Sequence, residues 1–327
     1  MRQPPSAQLW HLATGHMLPR CLQVVAELGV ADHLGESPLS TIALATATGV
    51  HPSALGRTLR LLASAGVFES QASLWAHTEL SRLLRSDHPQ TMRPYLRMLG
   101  SRLFWSAAGE LEHAVRSGAI AVGKLAPEGM WAYFREHPEE GQLFDAAMTS
   151  RSNADIASMI PALDFTRYES IADVGGGRGN MLAAVLAAAP AARGVLFDRP
   201  EVVANVTPAE RMRIQGGDFF KESPPAVDAY IVSRVLHDWA DDEAVAILRS
   251  IRSAAPSGSE LLVLESILPE SPEPHPTKVL DIIMLLMTGG HERSEREYQM
   301  LLEASGFRLD RVVATAGPVS AIVAVPT

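Results

Sequence analysis

Through the first 160 residues or so, apolar positions recur every three or four residues, the spacing of amphipathic helices. LQVVAELGVADHL (22–34) and FWSAAGELEHAV (104–115) carry the pattern most clearly, and few runs there alternate with the period of a strand. From Ser170 the pattern changes to short apolar runs separated by helical stretches. IADV (171–174), GVLFD (194–198), MRIQGGD (212–218), DAYIVSRVL (228–236) and LLVLES (261–266) read as strands. NMLAAVLAAAP (180–190), a short segment at EVVANV (201–206) and DDEAVAILRSIRSAAP (241–256) read as the helices between them. The chain closes on a helix at SEREYQMLLEASG (294–306) and two more strands, FRLDRVVAT (307–315) and SAIVAVP (320–326). Alternation of this kind predicts an α/β fold with a doubly wound, mostly parallel sheet. The prolines of LPESPEPHPTK (268–278) mark a loop. Two domains are expected, a mainly helical one over 1–160 and an α/β one over 161–327.

Within the helical half, STIALATATGVHPSALGRTLRLLASAGVFES (40–70) has a helix-turn-helix pattern. Gly49 would end one helix and Ser53 would cap the next, with Leu55, Leu59 and Leu62 on one face and Arg57 and Arg60 outward. A winged-helix DNA reader and a packing or dimerisation module share this pattern. Charge favours the second. Residues 1–100 hold eight arginines, no lysine and six acids, a balance of +2, too weak for a phosphate footprint. The whole chain carries a formal charge of −9, which argues against nucleic acid or an anionic membrane as partner.

The single cysteine, Cys21, excludes an internal disulfide and a multi-cysteine metal cage. No apolar run reaches the roughly 18 residues of a membrane helix, and MRQPPSAQLWHLATG lacks the apolar core of a signal peptide. A cytoplasmic protein is expected.

The candidate chemistry lies at the strand ends. IADVGGGRGN puts Gly175, Gly177 and Gly179 between a strand and a helix, where glycine permits a tight turn and close approach of a ligand. The spacing is G-x-G-x-G; a dinucleotide fingerprint would need a sixth-position glycine, where Asn180 stands. Asp198 ends the second strand, 23 residues after Gly175, placed to take the hydroxyls of a ribose. Asp218 ends the third, placed to accept from an adenine amino group with Phe219 against the ring. Each acid alone could equally be a cap or turn residue; their succession along one sheet edge favours a nucleoside-bearing cofactor.

His237 is expected at the carboxyl end of the fourth strand, with Glu265 ending the fifth and Glu292 in the loop before the last long helix. A histidine is suited to taking a proton near neutral pH, and a carboxylate on its second ring nitrogen would fix the tautomer. It could equally be a strand-end residue bonded to backbone. Asp238 is either a neighbour of the site or a cap of the next helix. No second ligand at metal spacing accompanies His237, so no metal site is expected.

The ordered set DVGGGRGN, FDRPEVV, GGDFF, LHDWADDEAVAILR, LESILP and GGHERSEREYQMLLEASGF resembles the S-adenosylmethionine-dependent O-methyltransferases of the plant caffeate type and their bacterial relatives. These are cation-independent enzymes with a winged-helix-like dimerisation domain, to which the helical half is similar. The resemblance implies a Rossmann-like methyltransferase sheet, S-adenosylmethionine as cofactor and a homodimer. It implies Gly175 at the methionine part of the cofactor, Asp198 at the ribose, and Asp218 with Phe219 at the adenine, with Gly177 and Arg199 also binding the cofactor. It implies His237 as the base toward a substrate hydroxyl, oriented by Glu265 and Glu292. FDAAMTSRS (144–152) is similar to a family segment in which a methionine, here Met148, packs on an aromatic acceptor and a serine, here Ser152, reaches the cofactor. Met284 in DIIMLLMTGG matches a second pocket methionine, and ordinary core is the competing role for both. Ser233 stands where plant members carry lysine, so the cofactor contact at that position differs. A small hydroxylated aromatic, polycyclic by analogy with bacterial secondary metabolism, is the expected acceptor. An N-methyltransferase, a ligand-sensing regulator and a member without transfer activity are the rival readings.

Overall fold

The computed structural model describes residues 4–71, 74–204 and 206–327. The chain forms two compact units, Met1–Ser106 with Trp131–Arg151, and Ala107–Met130 with Ser152–Thr327. This division differs from a single cut at residue 160. The segment 107–130 joins the second unit because its helix Leu111–Ser117 and the 3₁₀ turn Ala121–Lys124 pack on the helix Pro276–Met287.

Along the first part of the chain lie α1 (Pro5–Thr14), α2 (Met17–Glu27), α3 (Val30–His33), α4 (Thr41–Thr48), α5 (Pro52–Ser64), α6 (Glu79–Arg82), α7 (Arg93–Leu99) and α8 (Arg102–Gly109). The helix-turn-helix expectation is met by α4 and α5. Ser40 caps α4, its Oγ accepting from the Ala43 N–H at 3.2 Å, and Gly49 ends the helix with φ of 68°. Helix α5 starts two residues earlier than expected: Pro52 takes the first helical position, where its missing N–H costs nothing, so Ser53 lies inside the helix and caps nothing. Leu55, Leu59 and Leu62 are buried, as the periodicity requires. The alternation signal missed a small sheet, β1 (Leu39–Ser40), β2 (Phe68–Gln71) and β3 (Leu74–His77), in the order β1-β3-β2. Its strands are too short, and too exposed on β2, to give a periodic trace.

The next helices are α9 (Leu111–Ser117), α10 (Met130–Glu136) and α11 (Pro138–Met159). The second unit is then built on β4 (Ser170–Val174), β5 (Arg193–Asp198), β6 (Met212–Gly216), β7 (Ala229–Ser233), β8 (Glu260–Glu265), β9 (Phe307–Val313) and β10 (Ser320–Pro326). Among the described residues these form one sheet in the order β6-β5-β4-β7-β8-β10-β9, parallel except at β10 and β9. Helices α12 (Asn180–Ala188), α13 (Pro200–Val203), α14 (Asp241–Ala254), α15 (Pro276–Met287) and α16 (Glu295–Ala304) complete the unit. The expected helix at 201–206 is the single turn α13; Asn205 lies outside the described residues. Helix α15 begins inside the stretch expected to be a loop, because Pro276 opens a helix as readily as it breaks one.

Strands β4, β7 and β8 are apolar and buried almost throughout, as strands covered on both faces must be. One apolar cluster joins α14 and α16 to one face of the sheet, and a second joins α12 to the other. Strand order reverses between β4 and β7, and open sheets of this kind leave a crevice beyond the carboxyl ends of such neighbours. Among the described residues no helix is long and apolar enough to cross a membrane.

Candidate active site

Two turns meet at that crevice, one leaving β4 and one leaving β7. In the first, Gly175, Gly177 and Gly179 all take positive φ, at 71°, 59° and 77°. A Cβ on Gly175 would lie 2.8 Å from Cγ2 of Val235 and 3.6 Å from the Phe219 ring, so the two turns touch there. Gly177 faces open space, and its N–H donates to Oδ2 of Asp198 at 2.8 Å. Beneath the loop lies Asp173, fully buried, with a Cβ on Gly176 excluded by its carboxyl at 2.4 Å. Neither Asp173 oxygen has a hydrogen-bond partner among the described residues. Burial, with Asp198 adding to it, pushes the Asp173 carboxyl up to about 7.

Asp198 ends β5 as expected. Its second oxygen accepts from the Arg199 N–H at 2.7 Å, and burial raises its pKa despite these bonds. A carboxylate has about four acceptor positions, so capacity remains for further donors. The Arg199 side chain turns to Glu201 at 3.3 Å. Asp218 does not end β6. That strand stops at Gly216, and Asp218 sits in the turn beyond, where Oδ1 accepts from the Phe220 N–H at 3.0 Å and Oδ2 meets Nζ of Lys221 at 2.9 Å. The Lys221 bond holds this carboxyl below the usual range. Phe219 stands edge-on to Phe220 and Trp239, with centroids 4.9 and 6.1 Å away.

His237 does not end a strand either. Ser233 closes the β7–β8 ladder opposite Leu264, and Arg234 then takes φ of 55°, which leaves the strand conformation. The guanidinium of Arg234 holds this turn by bonding Asp155 at 3.1 Å and Oγ of Ser266 at 3.0 Å. His237 follows in a 3₁₀ turn, Leu236–Asp238. Its position on the crevice therefore depends on the turn and not on strand length.

Four groups fix that turn. Glu265, fully buried at the end of β8, accepts the N–H groups of Val235 and Leu236 on one oxygen at 2.9 and 3.0 Å. Arg293, also fully buried, donates to the carbonyls of Leu236 and Trp239, both at 2.8 Å, and to Asp241 at 2.9 Å. Gly290 backs the turn so closely that a Cβ would lie 2.1 Å from the His237 carbonyl oxygen. Glu292 completes the set: its Oε1 lies 2.7 Å from Nδ1 of His237. A carboxylate only accepts, so Nδ1 carries the hydrogen and Nε2 keeps its lone pair in the neutral ring. Both glutamates converge on the histidine by different means, Glu292 through the ring and Glu265 mainly through the backbone, its nearest oxygen being 3.6 Å from Nδ1.

Burial disfavours the imidazolium, but Glu265, Asp238 and Glu292 outweigh burial and push the His237 pKa up to about 9. Asp238 is partly exposed, 3.9 Å from Nε2. Met284 is buried on α15, with Oγ1 of Thr288 3.7 Å from its sulfur. Met148 and Ser152 are both half-buried on α11, Met148 in the part grouped with the first unit and Ser152 in the part grouped with the second. Sequence reasoning passed over Asp173, Arg234, Gly290 and Arg293. Only Asp173 left a signal, as a lone acid in an apolar central strand.

Comparison with known proteins decides the family. The O-methyltransferase domain matches residues 109–308, and the O-methyltransferase dimerisation domain matches residues 10–87. The chain belongs to the S-adenosylmethionine-dependent O-methyltransferases. This methyltransferase is 38% identical to the phenazine O-methyltransferase PhzM of Lysobacter antibioticus, over 99% of its own length and 97% of the relative's. It is 37% identical to the 8-amino-8-demethylriboflavin N,N-dimethyltransferase of Streptomyces davaonensis, over 88% and 85% of the two chains. The crystal structure of CalO1, a methyltransferase in calicheamicin biosynthesis in its SAH-bound form, superposes with a TM-score of 0.91 at 36% identity, covering 100% of both chains. The methyltransferase sheet, the cofactor class and the dimerisation domain expected from the motifs are thereby established.

Proposed function

We propose that this methyltransferase methylates a phenolic hydroxyl of a flat, polycyclic aromatic secondary metabolite, with His237 as general base. The observation that carries the reading is the Nδ1–Glu292 bond, which leaves Nε2 as the free basic atom on the edge shared with the glycine loop.

The residues suit the cofactor. Gly177 offers open space, and Gly175 could bear no side chain without displacing Val235. Asp198 is anchored by two backbone N–H groups and keeps acceptor positions for a ribose. Phe219 offers a ring edge for adenine, with Asp218 beside it; Arg199, Ser233 and Ser152 complete the proposed set. Bound S-adenosylmethionine supplies a methyl group already activated by its sulfonium, so the protein's part is to align two partners and remove one proton. His237 takes that proton from the acceptor hydroxyl on Nε2. Glu292, Glu265 and Asp238 stabilise the imidazolium that forms. In the free protein the same acids hold His237 protonated at neutral pH, and the positive charge of a bound sulfonium would favour the neutral base. Met284, Met148 and Asp238 are assigned to the acceptor.

The protein is proposed to work as a homodimer through its first unit. Helix α1 buries none of its own residues, and Leu9, Trp10 and Leu12 are exposed on it, an apolar surface suited to a second copy.

The test is His237→Ala assayed with S-adenosylmethionine and a panel of hydroxylated phenazines, naphthoates and anthraquinones. Loss of transfer with S-adenosylhomocysteine binding intact supports the reading; transfer at the wild-type rate across pH rejects it. The riboflavin-type relative favours a second reading, N-methylation, which a variant still active on aromatic amines would support.

A further inference from the structure

The chain leaves the sheet at Arg234, and the residues around that break are clipped one by one to the end of β8. The Arg234 N–H donates to the Leu264 carbonyl at 3.1 Å, and its Nη1 donates to Oγ of Ser266 at 3.0 Å. Glu265, between those two, takes the N–H groups of Val235 and Leu236. Arg234 holds φ of 55°, a conformation that a residue other than glycine keeps only where its surroundings impose it.

One of those surroundings comes from outside the sheet. Asp155 on α11 meets the guanidinium with both oxygens, Nε to Oδ2 at 3.1 Å and Nη2 to Oδ1 at 3.4 Å. The two side chains are only 15% and 7% exposed, so this planar fork is shielded from water and from salt. A buried pair of this kind is costly to break from one side, because the remaining charge stays buried without its partner. Asp155 also falls in register with two other residues of α11. Met148, Ser152 and Asp155 follow at i, i+4 and i+7, so they lie on one face of the helix. That face carries the methionine and the serine assigned above to acceptor and cofactor.

We propose that Arg234 is a positioning residue that ties the aim of His237 to helix α11 through Asp155. The fork keeps residue 234 left-handed, and the left-handed residue turns the chain off the strand. From that turn the imidazole, three residues on, reaches Glu292. A shift of α11 as cofactor or acceptor seats therefore moves the base, and the aim of the base in return affects what α11 binds. The proposal rests on the reading of His237 as base.

Arg234→Gly tests this, because glycine adopts the same backbone freely and loses only the side-chain bonds. The readout that needs no acceptor is the Nδ1 proton of His237, which its 2.7 Å bond to Glu292 should place at low field in a proton NMR spectrum. That resonance should move or broaden in Arg234→Gly and in Asp155→Asn, and in the double variant no further than in either alone. Turnover with a phenolic acceptor should fall in step, roughly ten- to hundredfold, the cost of a misplaced catalytic group. Arg234→Lys keeps the charge without the fork and should lie between wild type and Arg234→Gly. It supplies the same readouts should the glycine variant not fold. An unchanged resonance in a folded variant overturns the proposal, and so do additive losses in the double variant. A resonance that moves while phenols are methylated at the wild-type rate would count against His237 as base and leave the tie to α11 standing.

Discussion

Glu292 holds Nδ1 of His237 at 2.7 Å across 55 residues of sequence, and this bond decides which ring nitrogen carries the hydrogen. Glu265 lies farther from the ring and uses one oxygen on the two N–H groups before the histidine. One acid sets the tautomer and the other sets the turn.

On the proposed reading, replacing His237 with alanine removes the proton acceptor and leaves the glycine loop untouched. Turnover with a phenolic acceptor should fall roughly 10²–10⁴-fold, the range general base catalysis supplies. The dissociation constant for S-adenosylhomocysteine, read by calorimetry, should stay within a few-fold of wild type. A variant that binds poorly would place the histidine in the cofactor site instead.

The same histidine should make stability depend on pH. Its folded-state pKa of about 9 lies above the ordinary value near 6.5. A raised histidine adds stability that is fully present below about pH 6.5 and is lost as pH rises toward 9. Asp173, pushed up to about 7, acts in the same direction but mainly between about pH 4 and 7. The thermal midpoint should therefore fall from pH 7 to 9, and His237→Gln should flatten that slope. Parallel curves for the two proteins would reject the assignment.

Asp198 accepts the Gly177 N–H as well as offering acceptor positions outward. Asp198→Asn keeps the shape but loses the charge. Affinity for S-adenosylhomocysteine should drop roughly 10–100-fold, the worth of one or two hydrogen bonds to a charged group. Equal affinity by calorimetry would remove this residue from the cofactor site.

Gly290 is the position where a single methyl should do most damage. A Cβ there meets the His237 carbonyl oxygen at 2.1 Å and the Trp239 nitrogen at 2.7 Å, both backbone atoms that cannot swing aside. Gly290→Ala should cost about 2 kcal/mol or more in denaturant unfolding and reduce transfer even where the protein is folded. Full stability would mean that the turn is looser than its contacts indicate.

Much of this site was legible in the sequence because strand ends and glycine loops are local events. Gly175, Gly177, Asp198 and Glu265 stand at the ends of apolar runs or just beyond them, and the α/β alternation alone puts them on one edge. Helix α5 showed itself by the spacing of Leu55, Leu59 and Leu62. The turn holding His237 was not legible. The apolar run through Val235 and Leu236 looks like strand to its end, and only the left-handed Arg234, tied to Asp155 and Ser266, breaks it after Ser233.

The sequence by itself determined the fold class, the sheet edge, the glycine loop and the family, since each is written in contiguous motifs or in a period of two or 3.6 residues. Tertiary structure alone decided how the acids are shared out around His237. Glu265, Glu292, Arg293 and Gly290 reach His237 from segments about 30 to 55 residues away. Hydrogen bonds and steric contacts between such segments leave no periodic trace along the chain, because they depend on where the folded backbone brings the atoms together.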